Sequence, residues 1–256
     1  MEKGIYVHLD VETMGPVPGE HCLFQVAMFA HWDKMIPDYK KPFNPSDPCF
    51  VAEINVAMKV DKSKVHPKTV EFWNQHQRTK TQILENALDS QEVAQKISDF
   101  FRVLESRGVI QGIVMSPSWF DWSHFVHFYQ LFSRVITNCF DLSKINVICL
   151  KTMTKMSKLC GIPWFYHPTL KHTHNAIDDV REAAWRFIWI LRSFQSIGTL
   201  YPNMPIIIEN RLRQAPSKLR WRRPPRVYSN QNQVNEKISK TVVSNFIEKL
   251  SNDQFL

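Results

Sequence analysis

The chain has 256 residues, of which 44% are hydrophobic, and a formal net charge of +8. This length suits one ordinary domain with appendages, and no run of about 18 apolar residues predicts a transmembrane helix. The five cysteines are scattered and lack CxxC spacing, which argues against a disulfide framework and a zinc site. Because no leader pattern precedes the first strand, we predict a reducing, cytoplasmic location.

The positive charge is concentrated in residues 211–226, which we call the basic strap. This segment, RLRQAPSKLRWRRPPR, contains seven basic residues and no acidic ones, so about +1 remains for the rest of the chain. A cationic segment beside a nearly neutral body favours a polyanionic partner, because each neutralised phosphate releases counterions. The alternative interpretation is a solvated tail that only aids solubility.

The first half of the chain predicts a meander followed by helices. Apolar runs separated by Pro- and Asn-rich turns indicate three antiparallel strands, at residues 5–11, 22–31 and 50–58. A helix is expected to begin at Pro67 in HPKTVEFWNQHQ. The next stretch, SQEVAQKISDFFRVLESRG, has apolar residues at helical spacing, with Ser90 as candidate cap and Gly108 as stop.

The second half predicts strands alternating with helices. Strands are expected at residues 109–115 and 147–150, with a helix entry at SPSWFDWSHF between them and a short helix at 152–159. A long helix follows in HNAIDDVREAAWRFIWILRSF. The composition then shifts to Pro, Asn, Arg and Gln, so we predict a domain at 1–205 and a basic extension at 206–256, whose amphipathic terminal helix either packs back or docks a partner.

Four carboxylates follow or begin these predicted elements. Asp10 and Glu12 end the first strand, and because positions i and i+2 share a face, they must lie side by side. Asp121 follows the fourth strand, and Asp179 lies five residues after His174. Such a group would repel itself unless divalent cations neutralise it. Oxygen ligands favour Mg²⁺ or Mn²⁺ over Zn²⁺.

This constellation suits phosphoryl chemistry. Two ions about 3.5 to 4 Å apart hold the attacking water and the departing oxygen for in-line displacement. A histidine has an unperturbed pKa of about 6.5, so His174 is a suitable general base. Taken alone, however, His174 reads as a polar residue at the start of a helix.

Neighbouring residues compete for these roles. Asp178 points about 100° away from Asp179 on a helix, and Asp141 lies in a loop-like stretch, so Asp179 and Asp121 are preferred. His124 and His127 lack a third nitrogen or sulfur ligand and are interpreted as surface or packing histidines.

Three motifs resemble those of the DnaQ-like, RNase H-fold 3′–5′ exonucleases. They are DVET at residues 10–13, SWFDWSHF around Asp121 and HNAIDD at 174–179, whose HxAxxD spacing is similar to that of the DEDDh subgroup. KTVEFWNQHQ resembles the TVEWW helix of a narrower branch that contains T-even phage exonuclease A, exonuclease VIII-like domains and mycobacterial RNase AS. The resemblance covers residues 4–195, and therefore excludes the basic strap.

The resemblance implies a fold, an activity and a set of site residues. The fold is an α/β RNase H-like mixed five-stranded sheet flanked by helices, and the activity is release of nucleoside 5′-monophosphates from single-stranded 3′ ends with two Mg²⁺ or Mn²⁺ ions. The implied metal ligands are Asp10, Glu12, Asp121 and Asp179. Together with His174 as general base, they form the implied set of catalytic residues.

Substrate contacts are implied less directly. Thr13 and Met14 resemble positions that contact the terminal nucleotide, and Phe120 offers a stacking surface, whereas Trp73 is expected to pack in the core. In the basic strap, the upstream backbone would be held by Arg220, Arg222 and Arg223.

Several alternatives stay open at this point. The phage-like branch favours DNA over RNA, but an exoribonuclease of the same fold is the alternative, because the sequence does not show whether the pocket accepts a 2′-hydroxyl. A nucleic-acid-binding protein with secondary catalysis is a second class. A homodimer or a protein partner bound through the terminal helix, and a phage or viral origin, are further hypotheses.

Overall fold

The computed structural model describes residues 4–33, 49–159 and 173–200. One compact unit contains 4–33, 49–153 and 173–189, and a second contains 154–159 and 190–200. The basic strap, the predicted terminal helix and the predicted boundary at 205 lie outside the described residues.

The described residues form five strands and six α-helices: three strands, then three helices, and then strands that alternate with helices. They are β1 (Gly4–Thr13), β2 (Leu23–Trp32), β3 (Phe50–Ala57), α1 (Pro67–Gln75), α2 (Gln77–Leu84), α3 (Ser90–Arg107), β4 (Val109–Met115), α4 (Ser118–Phe132), β5 (Val147–Cys149), α5 (Leu150–Leu159) and α6 (Ala176–Leu200), with a 3₁₀ helix at Leu142–Lys144.

The strands make one mixed sheet in the order β3-β2-β1-β4-β5. The first three are antiparallel neighbours, which confirms the predicted meander, and β4 and β5 run parallel to β1. Parallel strands need long crossover connections, and here helices supply them. The carboxyl ends of β1 and β4 therefore lie at the same edge of the sheet.

Both faces of the sheet are covered by helices. Odd-numbered β1 residues such as Val7 and Leu9 pack with apolar residues of α3 and α4. On the opposite face, Ala27 and Phe29 of β2 pack with the first turns of α6. Period-2 alternation thus directs Asp10 and Glu12 toward the α6 side.

A third cluster lies where β1 passes into its loop. The pairing of β1 with β2 shifts register between Glu12 and Thr13, so Phe24 is an extra residue on β2. Phe24 packs at 5.0 Å against the ring of Trp73 on α1, and Met14 belongs to the same cluster. The irregularity anchors α1 at the end of β1 that carries the carboxylates.

Most helix termini follow local signals. Pro67 opens α1 as predicted, and Gly108 ends α3, donating its N–H to the carbonyl of Leu104. The cap of α3 is Asp89 and not Ser90, which is the first helical residue. Helix α2 was not predicted, because it is polar and buries only Ile83.

No helix in the described part of the chain combines the length and the apolar character that a bilayer crossing requires.

Candidate active site

Three carboxylates meet on the α6 side of the sheet. One oxygen each from Asp10, Glu12 and Asp179 lies within 4.8 Å of the other two. Within residues 4–33, 49–159 and 173–200, this is the one group of three or more His, Cys, Asp or Glu side chains that assembles so closely. We call these three residues the carboxylate cluster.

Strand register and helix placement explain this convergence. Asp10 pairs with Ala27, whose small side chain packs with Ala176 at the start of α6. Asp179 lies in the first turn of that helix, where the exposed N–H groups favour a negative charge. It is only 6% exposed, and its Oδ1 accepts a hydrogen bond from the Thr173 main chain at 3.1 Å.

Asp121 approaches the cluster from α4. It lies in the first turn of this helix, just beyond the carboxyl end of β4, and is 3% exposed. Burial raises its pKa to about 7, against the effect of a hydrogen bond from the Ser116 main chain. Its Oδ2 is buried and, among the described residues, has no hydrogen-bond partner.

The other three acids act electrostatically on Asp10. Burial raises the pKa of Asp10 well above its usual value, and the charges of Asp121, Glu12 and Asp179 raise it further. A divalent cation that binds between the groups offsets repulsion of this kind by its attraction to each carboxylate. Together with the unpartnered Asp121 oxygen, this all-oxygen donor set fits Mg²⁺ or Mn²⁺.

His174 lies five residues before Asp179 in the chain, and its ring packs against the C-terminal end of α1. Its backbone is in the left-handed region, with φ of 54°. Its ring contacts Phe72 edge-on at a centroid distance of 4.9 Å and His76 at 4.8 Å. The helix that contains the TVEFW sequence therefore orients the proposed base.

The predicted substrate contacts Thr13 and Met14 are largely occupied within the protein. The Thr13 hydroxyl donates to the Gly15 carbonyl at 2.9 Å. Met14 is 2% exposed, and its main chain bonds to Cys22 and His66. The side chain of Met14 is thus buried and does not offer an exposed surface to a nucleotide.

The predicted aromatic residues differ in exposure. Trp73 is 1% exposed and donates its indole N–H to the Thr13 carbonyl at 3.3 Å, which confirms its place in the core. Phe120 is half-buried and packs against His124 at 4.7 Å, beside the exposed Trp119. The remaining predicted substrate contacts lie outside the described residues; they are Arg220, Arg222 and Arg223.

The competing residues have other partners. Asp178 accepts a hydrogen bond from the Thr173 hydroxyl at 3.0 Å. Asp141 is exposed and caps the 3₁₀ helix through the Ser143 main chain. His124 is buried and bonds to the Pro16 carbonyl, and this bond raises its pKa against the larger lowering effect of burial.

Sequence reasoning missed three residues around this site. Phe72 and His76 contact His174 although they lie about a hundred residues away in the chain, and no local sequence pattern predicts such a contact. Gln25 faces Glu12 across the β1–β2 pair and is 1% exposed. A signal for Gln25 was present, because a lone amide within the apolar strand CLFQVAMFAH must find buried partners.

Comparison with known proteins identifies the fold. The structure of exonuclease I from Methylocaldum szegediense is similar, with a TM-score of 0.50 and 15% identity over 78% of this chain and 43% of that chain. That of cell-death related nuclease 4 has a TM-score of 0.42 and 16% identity over 76% of this chain and 64% of that chain. This chain therefore spans less than two thirds of either.

The predicted α/β RNase H-like fold with a mixed five-stranded sheet is confirmed. No family model matches the sequence, and no curated protein matches it. At 15% identity, the similarity to exonuclease I extends to the fold alone.

Proposed function

We propose that this protein is a metal-dependent 3′–5′ exonuclease that releases nucleoside 5′-monophosphates from single-stranded ends. The observation that carries this proposal is the carboxylate cluster, with buried Asp121 acting on Asp10 from α4. Four acids from three elements at one edge of an RNase H-like sheet cost stability without a cation. Such an arrangement is understandable if divalent ions complete it.

Each side chain has a distinct role in the proposed reaction. Asp10, Glu12, Asp121 and Asp179 would hold two Mg²⁺ or Mn²⁺ ions. When bound, these ions would stabilise the negative charge of the phosphoryl group during its transfer and would lower the pKa of the attacking water.

His174 would accept the proton of that water. Its imidazole is half-buried, and contact with Phe72 and His76 limits its orientations. A base held in one orientation contributes more to proton transfer than a mobile one. The resemblance to the DEDDh subgroup supports the same role.

The substrate side of the proposal rests on the sequence. The basic strap would bind the backbone upstream of the 3′ end, and the phage-like resemblance favours DNA over RNA. A nuclease recruited through the terminal helix is compatible with this proposal.

The decisive experiment uses matched DNA and RNA oligonucleotides, each blocked at one end, with Mg²⁺, Mn²⁺ or chelator. We expect shortening only when the 3′ end is free and metal is present. Asp10→Asn and Asp179→Asn should abolish it, and His174→Ala should reduce it by about 10²- to 10⁴-fold. Asp178→Asn is the matched control and should retain most activity.

The proposal is wrong if chelator leaves the wild-type rate unchanged, or if both cluster variants remain active. Degradation from the 5′ end would refute the proposed polarity while leaving a metal nuclease. A rate on RNA that exceeds the rate on DNA would assign the protein to the exoribonuclease alternative.

A further inference from the structure

Gln25 is a residue of β2 whose buried side chain reaches β3 and the start of α6. Its Oε1 accepts a hydrogen bond from the Ala176 main chain at 3.1 Å. Its Nε2 donates to Asn175 Oδ1 and to Asn55 Oδ1, both at 2.9 Å. With 1% exposure, this amide makes its hydrogen bonds entirely inside the protein.

Two of these three bonds act on the beginning of α6. Ala176 is the first residue of the helix, so its N–H belongs to the groups that a helix cannot satisfy internally. The Asn175 carbonyl accepts from the main chains of Asp178 and Asp179, which starts the helical ladder. Gln25 therefore fixes the exact residue at which α6 begins, because it binds Asn175 and Ala176 together.

The residues on either side of this anchored pair are those of the proposed site. His174 precedes Asn175 in a left-handed backbone conformation, which a non-glycine residue adopts only when its surroundings impose it. Asp179 follows one turn later and joins the carboxylate cluster. A shift in the start of the helix would displace both groups.

We infer that Gln25 is a positioning residue for the proposed nuclease: it holds the turn at residues 174–176 so that His174 and Asp179 both face Asp10 and Glu12. The inference rests on the proposed function for its kinetic consequence. Its structural part, anchoring of the turn, is independent of that function. Gln25 lies opposite Glu12 in the pairing of β1 with β2, so its side chain joins α6 to the strand next to the one that carries two of the acids.

An apolar side chain at this position would break the anchor without changing the packing volume. Gln25→Met keeps the length of the side chain but removes the acceptor of the buried Ala176 N–H and the donor to the half-buried Asn175 Oδ1. The turn is expected to move toward water to satisfy them. A displacement of about 1 Å at a reacting group can cost about 10²-fold in rate.

The test compares kcat and KM of Gln25→Met with the wild type on a short 3′-accessible oligonucleotide. We expect kcat to fall by about 10- to 100-fold while KM stays within about threefold, because a misplaced base affects the chemical step more than binding. Amide hydrogen exchange should accelerate at residues 174–179. A kcat within twofold of the wild type would overturn the inference.

Arg181→Gln is the matched control. Arg181 makes a bidentate ion pair with Glu53 of β3, at 2.7 and 3.2 Å, and so joins the same helix to the same sheet without touching the turn. It should lose stability but keep kcat. If it lowers kcat as much as Gln25→Met does, loosened docking of α6 explains both results and the inference fails.

Asn175→Ala extends the test in case Gln25→Met does not fold. It removes one of the two bonds to the turn and should lower kcat by several-fold, and an unchanged kcat would overturn the inference. If the wild type shows no metal-dependent nuclease activity, the proposed function fails. Hydrogen exchange at residues 174–179 then decides the anchoring role alone, since protection that either variant leaves unchanged would refute it.

Discussion

The buried carboxyl of Asp121 predicts an unusual pH dependence for the metal-free protein. Its pKa is about 7 in the folded state, raised chiefly by burial, against an ordinary value of 3.8. A group whose pKa is raised by folding stabilises the protein below its unfolded pKa, and this contribution is lost as the pH rises through the folded pKa. In chelator, the wild type should therefore lose stability between about pH 4 and pH 7.

The size of the effect follows from these two values. Each tenfold change in the acid dissociation constant corresponds to about 1.4 kcal/mol, so ionising Asp121 costs about 4 kcal/mol. Asp121→Asn avoids this cost and keeps an acceptor for the Ser116 main chain, but it buries an amide NH₂ at a cost of about 1 to 3 kcal/mol. We expect a net gain of about 2 kcal/mol at pH 8, or about 4 to 8 °C in Tm.

The assay is urea and thermal unfolding of both proteins in chelator from pH 4 to pH 8. The variant should lose its advantage at pH 4, where Asp121 is protonated, and excess Mg²⁺ at pH 8 should stabilise the wild type more than the variant. Asp141→Asn is the control with opposite sign, because hydrogen bonds from Ser143 lower the pKa of that exposed cap. Parallel pH profiles for wild type and Asp121→Asn would refute the reasoning.

Three further predictions concern stability. Burial lowers the pKa of His31 to about 4, so the protein should lose up to about 3 kcal/mol of unfolding free energy as the pH falls from about 6.5 toward 4. In urea unfolding, the free energy of His31→Phe should fall less over this pH range than that of the wild type, and an equal fall would contradict this explanation. Trp73→Ala should cost about 3 to 5 kcal/mol and Trp73→Phe less, since Phe keeps most of the apolar contact; equal losses in urea titrations would be inconsistent with packing as the cause. Gly15→Ala should lower the unfolding free energy by about 1 to 3 kcal/mol, because the new Cβ would lie 2.3 Å from the His21 ring; an unchanged Tm would show that the loop yields freely.

Much of the fold was readable from local patterns. The strand at Val109–Met115 was predicted with the observed bounds, and β1 was recognised as the strand that ends in the acidic pair. Helix α3 was predicted to end at Gly108, as observed. These features depend on side-chain period and on terminal residues that lie within one element, so the sequence contains the information.

Other features depended on residues distant in the chain. The lone amide in β2 indicates that Gln25 needs buried partners, but not that these lie at the start of α6, some 150 residues later. The burial of Met14 likewise depends on the extra residue on β2 and on the docking of α1, whereas its contact with a nucleotide stays a prediction. Burial of a loop residue is decided by what packs over it, and periodicity does not describe that.

The sequence by itself determined that Asp10 and Glu12 share a face of one strand, because the geometry of a strand is local. It also placed Asp179 at the start of a helix and Asp121 at the start of another. Only the tertiary structure brought Asp179 within 4.8 Å of the pair, buried Asp121 so that its pKa rises to about 7, and set His174 against Phe72 and His76. The physical reason is that desolvation and contact belong to the packed arrangement of the elements, whereas spacing belongs to the chain.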